Sequence, residues 1–338
     1  MRFGLFGGAS VKSADSTATI GDSARDYTEF VDYVCEAETL GFHSVFLVEH
    51  HFTGFNQVSA SLNLLSYLAA KTTRLRLGTA VSVLPWHNPV LLAEQAATVD
   101  LLSGGRLDFG IGRGYRASEF RGFCVPVEEA QERYDEALEV IRKAWAHPAG
   151  FTHHGKRWHF DQAIVEPAPT QRPHPPLWIG AGTPPVIETA GRLGLNLLLD
   201  QLARPEIIGE RAAIYRRAVE ATGLAYDPMR MALTRTLCLA QNAHERELRI
   251  AERAQFLEQV RRLTAGNFAS TNSLAVAQSP AEARAASEAA ALLGNPEEII
   301  ARLRQLQSFG VEYVLLMDLT MDRSALRTFA REVMPAFA

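Results

Sequence analysis

Residues 75–112 read LRLGTAVSVLPWHNPVLLAEQAATVDLLSGGRLDFGIG, and the order of elements in this stretch decides the fold class. Leu75 to Val83 is an apolar run enriched in β-branched residues, the composition of a buried strand. Asn88 stands where an N-cap is needed, and Pro89 occupies the first helical position, where a missing N–H costs nothing. Gly104 and Gly105 supply a left-handed stop after Leu102, and Leu107 to Ile111 is a second short apolar run. Strand, helix, strand in this order is a parallel crossover, because parallel strands cannot be joined by a tight turn.

The same alternation extends in both directions. Upstream, Arg2 to Gly7 reads as a strand, a helix follows with Tyr27, Phe30, Val31, Val34 and Ala37 on its apolar face, and Ser44 to Val48 is the next strand. A second helix runs through Leu62, Leu65 and Leu68. Downstream, a helix from Glu128 to Trp145 carries Ala130, Tyr134, Leu138 and Ile141 on one face. The remaining strands are Leu177 to Gly180, Asn196 to Leu199, Met231 to Leu239 and Tyr313 to Met317, separated by helices near 184–193, 205–222 and 243–263 and by one from Pro296. Eight strands alternating with helices, without a second compositional block, predict a single α/β domain over residues 1–338, a closed (β/α)8 TIM barrel. Two segments depart from the alternation. His153 to Phe160 predicts a small inserted hairpin around Gly155. Residues 266–292, rich in Ala, Ser, Asn and Thr, are expected to be either a flexible active-site loop or a solvated excursion with a partial helix from Pro280.

Composition removes several classes of function. Hydrophobic residues make up 47% and charged residues 21% of the 338, enough material for a large core. A formal charge of -4 without basic runs argues against nucleic acid as a partner. Three widely spaced cysteines, Cys35, Cys124 and Cys238, provide neither a disulfide framework nor a metal knuckle. With no export signal and no long apolar segment in the sequence, the expectation is a cytoplasmic protein without membrane association.

In a parallel barrel the carboxyl ends of all strands share one face, so residues directly after strands converge there. After the second strand come Glu49, His50 and His51, which serve either for acid–base work or simply to cap the barrel mouth. They are poorly placed to ligate one metal, since neighbouring strand residues point to opposite faces. The third strand ends in small residues around Ala80 and Val81, leaving room for a flat ring. After the fourth comes Gly110-Ile111-Gly112-Arg113-Gly114-Tyr115, in which glycines permit close backbone approach and Arg113 suits a phosphate. This is not a dinucleotide fingerprint, because the third glycine and the helix behind it are missing. After the fifth, Gly182 and Thr183 lead into a helix whose amino end is a candidate anion site.

These segments resemble the bacterial luciferase family of flavin oxidoreductases. The similarity runs through LVEHHFTGF at 47–55, LGTAVSVLPWHNP at 77–89, GGRLDFGIGRGYRASEFRGF at 104–123, PLWIGAG at 176–182, GNPEEII at 294–300 and VMP at 333–335. The resemblance implies FMN, in its reduced form as co-substrate, at the carboxyl-end face. It implies His50 as the catalytic histidine and Ala80 and Val81, joined by a cis peptide bond, as the wall behind the ring. Arg113, Tyr115, Gly182 and Thr183 are implied around the phosphate, and no metal is. Gly112 falls where the light-emitting subunits carry a cysteine, which argues against light emission. A dimer is implied through the helices beside the second and third strands, on a surface including Glu94 and Asp100.

The function expected is therefore a monooxygenase that uses reduced FMN and O2 to oxidise a small organic substrate such as an aldehyde, served by a separate flavin reductase. Three alternatives stand beside it: a deazaflavin-dependent hydride-transfer enzyme, a non-catalytic flavin-binding partner subunit, and metal-assisted hydrolysis using His50, His51, His153 and His154.

Overall fold

The computed structural model describes residues 1–9, 20–52, 58–264 and 280–338. Its strands are β1 (Arg2–Gly7), β2 (Ser44–Leu47), β3 (Arg76–Thr79), β4 (Ser82–Val83), β5 (Leu107–Gly112), β6 (Phe151–His154), β7 (His159–Ala163), β8 (Leu177–Gly180), β9 (Asn196–Leu199), β10 (Met231–Leu239), β11 (Leu292–Gly294) and β12 (Tyr313–Met317). The helices are α1 (Ile20–Thr39), α2 (Ser61–Lys71), α3 (Pro89–Leu102), α4 (Ala117–Gly122), α5 (Ala130–Ala146), α6 (Pro184–Arg192), α7 (Pro205–Glu220), α8 (Ala243–Thr264), α9 (Pro280–Ala289), α10 (Pro296–Ser308) and α11 (Arg323–Thr328). The main sheet runs β11-β10-β12-β1-β2-β3-β5-β8-β9, and a further pairing of β9 with β10 closes it. This is the expected eight-stranded parallel α/β barrel.

The chain divides into two compact units. The first holds Met1–Gly7, Asp32–Phe46 and Ile179–Ala338. Within it β12 pairs in parallel with both β1 and β10, and β10 also pairs with β9 and β11. All five residues of β12 are buried, the near-continuous apolar signature of a parallel strand covered on both faces. Helix α10 begins with a full capping box: the Asn295 side chain accepts from Glu298 N–H, and the Glu298 side chain accepts from Asn295 N–H.

The second unit holds Gly8–Val31 and Leu47–Trp178. There β5 pairs in parallel with β3 and then with β4. The single strand expected from Leu75 to Val83 is thus divided at Ala80 and Val81, whose peptide bond is cis. Asn88 caps α3 as its position implies, its side chain accepting from the N–H groups of Val90 and Leu91. The expected hairpin is the antiparallel pair β6 and β7.

Two expectations need adjustment. Asp100 is fully buried and accepts both from Gln171 N–H at 2.9 Å and from Gln171 Nε2 at 2.7 Å, so it cannot belong to an exposed dimerisation surface. It lies on the inward face of α3, where a carboxylate is tolerated because it is hydrogen-bonded. Of the segment expected to be a loop, residues 266–279 lie outside the described residues, as do Thr53 to Phe55 of the histidine motif. Of the rest, Pro280–Ala289 is α9, the partial helix given by the second reading of this segment, and Leu292 opens β11. No helix among the described residues is long and apolar enough to cross a membrane.

Candidate active site

The second unit gathers the ends of β2, β3, β4 and β5. Ala80 N–H donates to Leu47 O at 2.7 Å, which ties the residue after β3 to the last residue of β2, three positions before His50. Ser82 and Val83 lie opposite Ile111 and Gly112. The backbones that carry His50, Ala80, Val81, Gly112 and Arg113 therefore leave the sheet side by side.

Gly112 is buried, and a Cβ there would lie 2.3 Å from Val81 Cγ2 and 3.4 Å from Val81 Cβ. Glycine is required because Val81 already fills the space of a side chain. Gly114 takes φ +77°, a left-handed turn that lets the chain double back after Arg113. The Arg113 side chain is exposed and donates to Gln131 Oε1 at 3.4 Å. The Tyr115 ring is also exposed, with the Arg116 guanidinium 5.6 Å from its centroid.

Two buried carboxylates organise the histidines. Glu119 on α4 is 2% exposed, and its Oε1 lies 3.1 Å from His50 Nδ1 while accepting the His51 backbone N–H at 3.0 Å. Arg116 Nη1 stands 3.7 Å from the same oxygen. Glu49 Oε1 accepts from His87 Nε2 at 2.9 Å, Trp86 Nε1 at 3.0 Å and His51 Nε2 at 3.3 Å. Burial pushes the Glu49 carboxyl upward, but the hydrogen bonds from His51, His87 and Trp86 outweigh it and hold the group at about 2. Burial likewise disfavours the charged form of His50 and lowers its pKa below the usual 6.5, against the opposing pull of Glu119 and Glu49. His50 is therefore a neutral imidazole at pH 7. His51 and Trp86 are packed into an aromatic cluster: Phe123 stacks on Trp86 at 5.1 Å and meets the His51 ring edge-on at 4.7 Å. Among the described residues the His50 ring makes no such aromatic contact.

Gly182 and Thr183 belong to the first unit. Thr183 is the N-cap residue of α6, in extended conformation, but its side chain makes no cap hydrogen bond. Pro184 and Pro185 follow, neither with an N–H, so this terminus offers fewer donors than its position implies. Arg211 lies beside Gly182, paired with Asp200 at 2.6 Å.

The luciferase-like monooxygenase family model matches residues 1–313. The chain belongs to the luciferase-like monooxygenase family. Among its luciferase-like relatives, the oxygenase component of a flavin-dependent trigonelline monooxygenase from Acinetobacter baylyi is 28% identical over 92% of this chain and 90% of its own. The alkanal monooxygenase beta chain of Vibrio harveyi is 27% identical over 77% and 78%. A monooxygenase from Streptomyces bottropensis, 27% identical, superposes over the whole of both chains with a TM-score of 0.82. The chain is thus an oxidoreductase of the luciferase-like family.

Sequence reading singled out His50 but not Glu119, Arg116, Trp86 or His87. Glu119 lies in GYRASEFRGF, where α4 is only six residues long, too short for an apolar period to show. Its one signal was a lone acid amid residues that otherwise pack inward, Arg116 and Phe120 among them. Metal-assisted hydrolysis finds no support: among the described residues no group of three or more His, Cys, Asp or Glu is placed to hold a metal. His153 is buried against Glu136, while exposed His154 pairs with Asp161.

Proposed function

We propose that this chain is the oxygenase component of a two-component monooxygenase, using reduced FMN and O2 to oxidise a small organic substrate such as an aldehyde. The observation that carries the reading is the shared rim of β2 to β5: a neutral histidine, the Ala80–Val81 wall and an exposed Arg113 leave the sheet together.

The donor set fits a flavin phosphate. Ala80 and Val81 are half-exposed at strand ends that are otherwise buried, and they provide a small, flat wall for a ring. Arg113 offers a planar guanidinium to an anion, with Tyr115 beside it. The bound flavin supplies the redox chemistry with oxygen, and the protein binds, orients and keeps water out. His50, through Nε2, holds or moves the proton that the oxidation requires. Among the described residues Nε2 has no hydrogen-bond partner, so this nitrogen is available for that role. The Acinetobacter relative is named as an oxygenase component, which supports a separate reductase as the source of reduced flavin.

A dimer is proposed through α2 and α3, with Asp100 excluded from the contact. Tyr67, Leu91, Leu101 and Leu102 are exposed apolar side chains there, and Leu91, Thr98 and Leu102 fall on one helical stripe.

Anaerobic titration with reduced FMN and, in parallel, with a reduced deazaflavin tests the cofactor. Saturable binding of FMN, followed by substrate oxidation when O2 and a panel of aldehydes are added, is expected. Preference for the deazaflavin, or release of free hydrogen peroxide alone with every substrate, contradicts the proposal.

A further inference from the structure

His50 and Glu119 stand 69 positions apart in the chain, yet the carboxylate is placed against one chosen ring nitrogen. The Glu119 oxygen that meets Nδ1 also receives the His51 backbone N–H, and a main-chain N–H can only donate. A carboxylate oxygen only accepts, so Nδ1 must be the protonated nitrogen and Nε2 the bare one. Glu119 is 2% exposed, so its bonds are made in a low-dielectric setting where losing one leaves a buried polar group unsatisfied. The histidine side chain retains 17% of its exposure.

We infer that Glu119 is the positioning residue of the reaction: it fixes the His50 tautomer and ring orientation so that Nε2 is the nitrogen that handles the proton. The inference rests on the reading of His50 as the proton-handling residue. It extends that reading to a residue on another element, through the same device by which a hydrogen bond to one imidazole nitrogen sets the role of the other.

Among the described residues three charged groups act on His50. Glu119 and Arg116 face it from the α4 segment and Glu49 from its own, the carboxylates favouring the imidazolium and the guanidinium opposing it. Removing the Glu119 charge leaves Arg116 and Glu49 in place and takes away the nearest stabiliser of the imidazolium. His50 should then protonate at lower pH, by about one unit or more for a carboxylate at this distance. Without the acceptor at Nδ1, the proton is also free to reside on Nε2, which would disable that atom as a base.

The test uses the flavin-free full chain labelled with 15N-histidine, with His50 assigned by comparison with His50→Gln. Nuclear magnetic resonance reads which ring nitrogen carries the proton and the titration midpoint. Wild type is expected to show Nδ1–H. Glu119→Ala should populate Nε2–H, Glu119→Gln should lower the midpoint by about one pH unit or more, and Glu119→Asp should restore part of both. If Glu119→Ala fails to fold, the isosteric Glu119→Gln decides alone. An unchanged tautomer and midpoint in a folded Glu119→Gln would overturn the assignment. Because no flavin is present, these outcomes are separable from the cofactor reading: absent FMN binding with an intact Nδ1–H signature would remove the proposed activity and leave the pair standing.

Discussion

Gly112 packs so closely against Val81 that a Cβ at position 112 would lie 2.3 Å from Val81 Cγ2. Valine has one χ1 rotor and no flexible end to swing aside, so a larger residue at 112 must displace the Ala80–Val81 wall. Gly112→Cys is therefore expected to cost about 1–3 kcal/mol of stability and to weaken flavin binding. Val81→Ala should recover much of the stability in the double variant. Denaturant midpoints of the four proteins in this cycle check the coupling, and strict additivity would contradict it.

The Glu49 hub predicts a defined acid sensitivity. Its folded-state pKa, about 2, lies below the ordinary 4.5, so the unfolded chain binds its proton first as pH falls. The stabilisation is fully present above pH 4.5 and is lost as pH falls through about 2, amounting to an order of 3 kcal/mol at neutrality. Glu49→Gln should be less stable than wild type at pH 7, and the gap should close toward pH 2. Urea midpoints across that range provide the measurement; a gap independent of pH would contradict the assignment.

His50→Ala should reduce turnover by about 10²- to 10⁴-fold, the usual share of a proton-transfer group, while leaving the fold intact by circular dichroism. Because burial lowers the His50 pKa below 6.5, the base is neutral at pH 7 and is lost only as pH falls through that depressed value. The acid limb of the wild-type rate profile should therefore lie below pH 6.5, and a limb centred above it would contradict the role.

The exposed leucines of α3, Leu91, Leu101 and Leu102, predict association. Replacing Leu101 and Leu102, 45% and 61% exposed, with glutamate should convert a dimer to a monomer in sedimentation velocity while changing the unfolding free energy of the protomer by no more than about 0.5 kcal/mol. A wild-type monomer at all concentrations contradicts the proposed interface.

Most of the architecture was legible because its signals are local. Pro89 and Asn88 mark the start of α3, buried runs such as Tyr313–Met317 mark parallel strands, and glycines mark the stops. Three features were not legible, each because a tertiary relationship decides it. The division of the third strand at Ala80 and Val81 leaves no trace in apolar pattern, since both halves are equally β-prone. Asp100 carries a charge and reads as surface, but Gln171, distant in sequence, satisfies it in the interior. Within the candidate site, His50 stood out as an ionisable group at a strand end. Glu119, on a helix of six residues, had no periodicity to mark it, and only the fold reveals that it faces the histidine.

The central claim is that the rim of β2 to β5 holds reduced FMN with Arg113 toward its phosphate. Anaerobic equilibrium titration of wild type and Arg113→Ala tests it most directly. The account predicts saturable wild-type binding at about micromolar or tighter and a loss of about tenfold to a hundredfold in the variant, with reduced riboflavin, which lacks the phosphate, insensitive to the substitution. Absence of wild-type binding, or equal affinity of both proteins for reduced FMN, would contradict it.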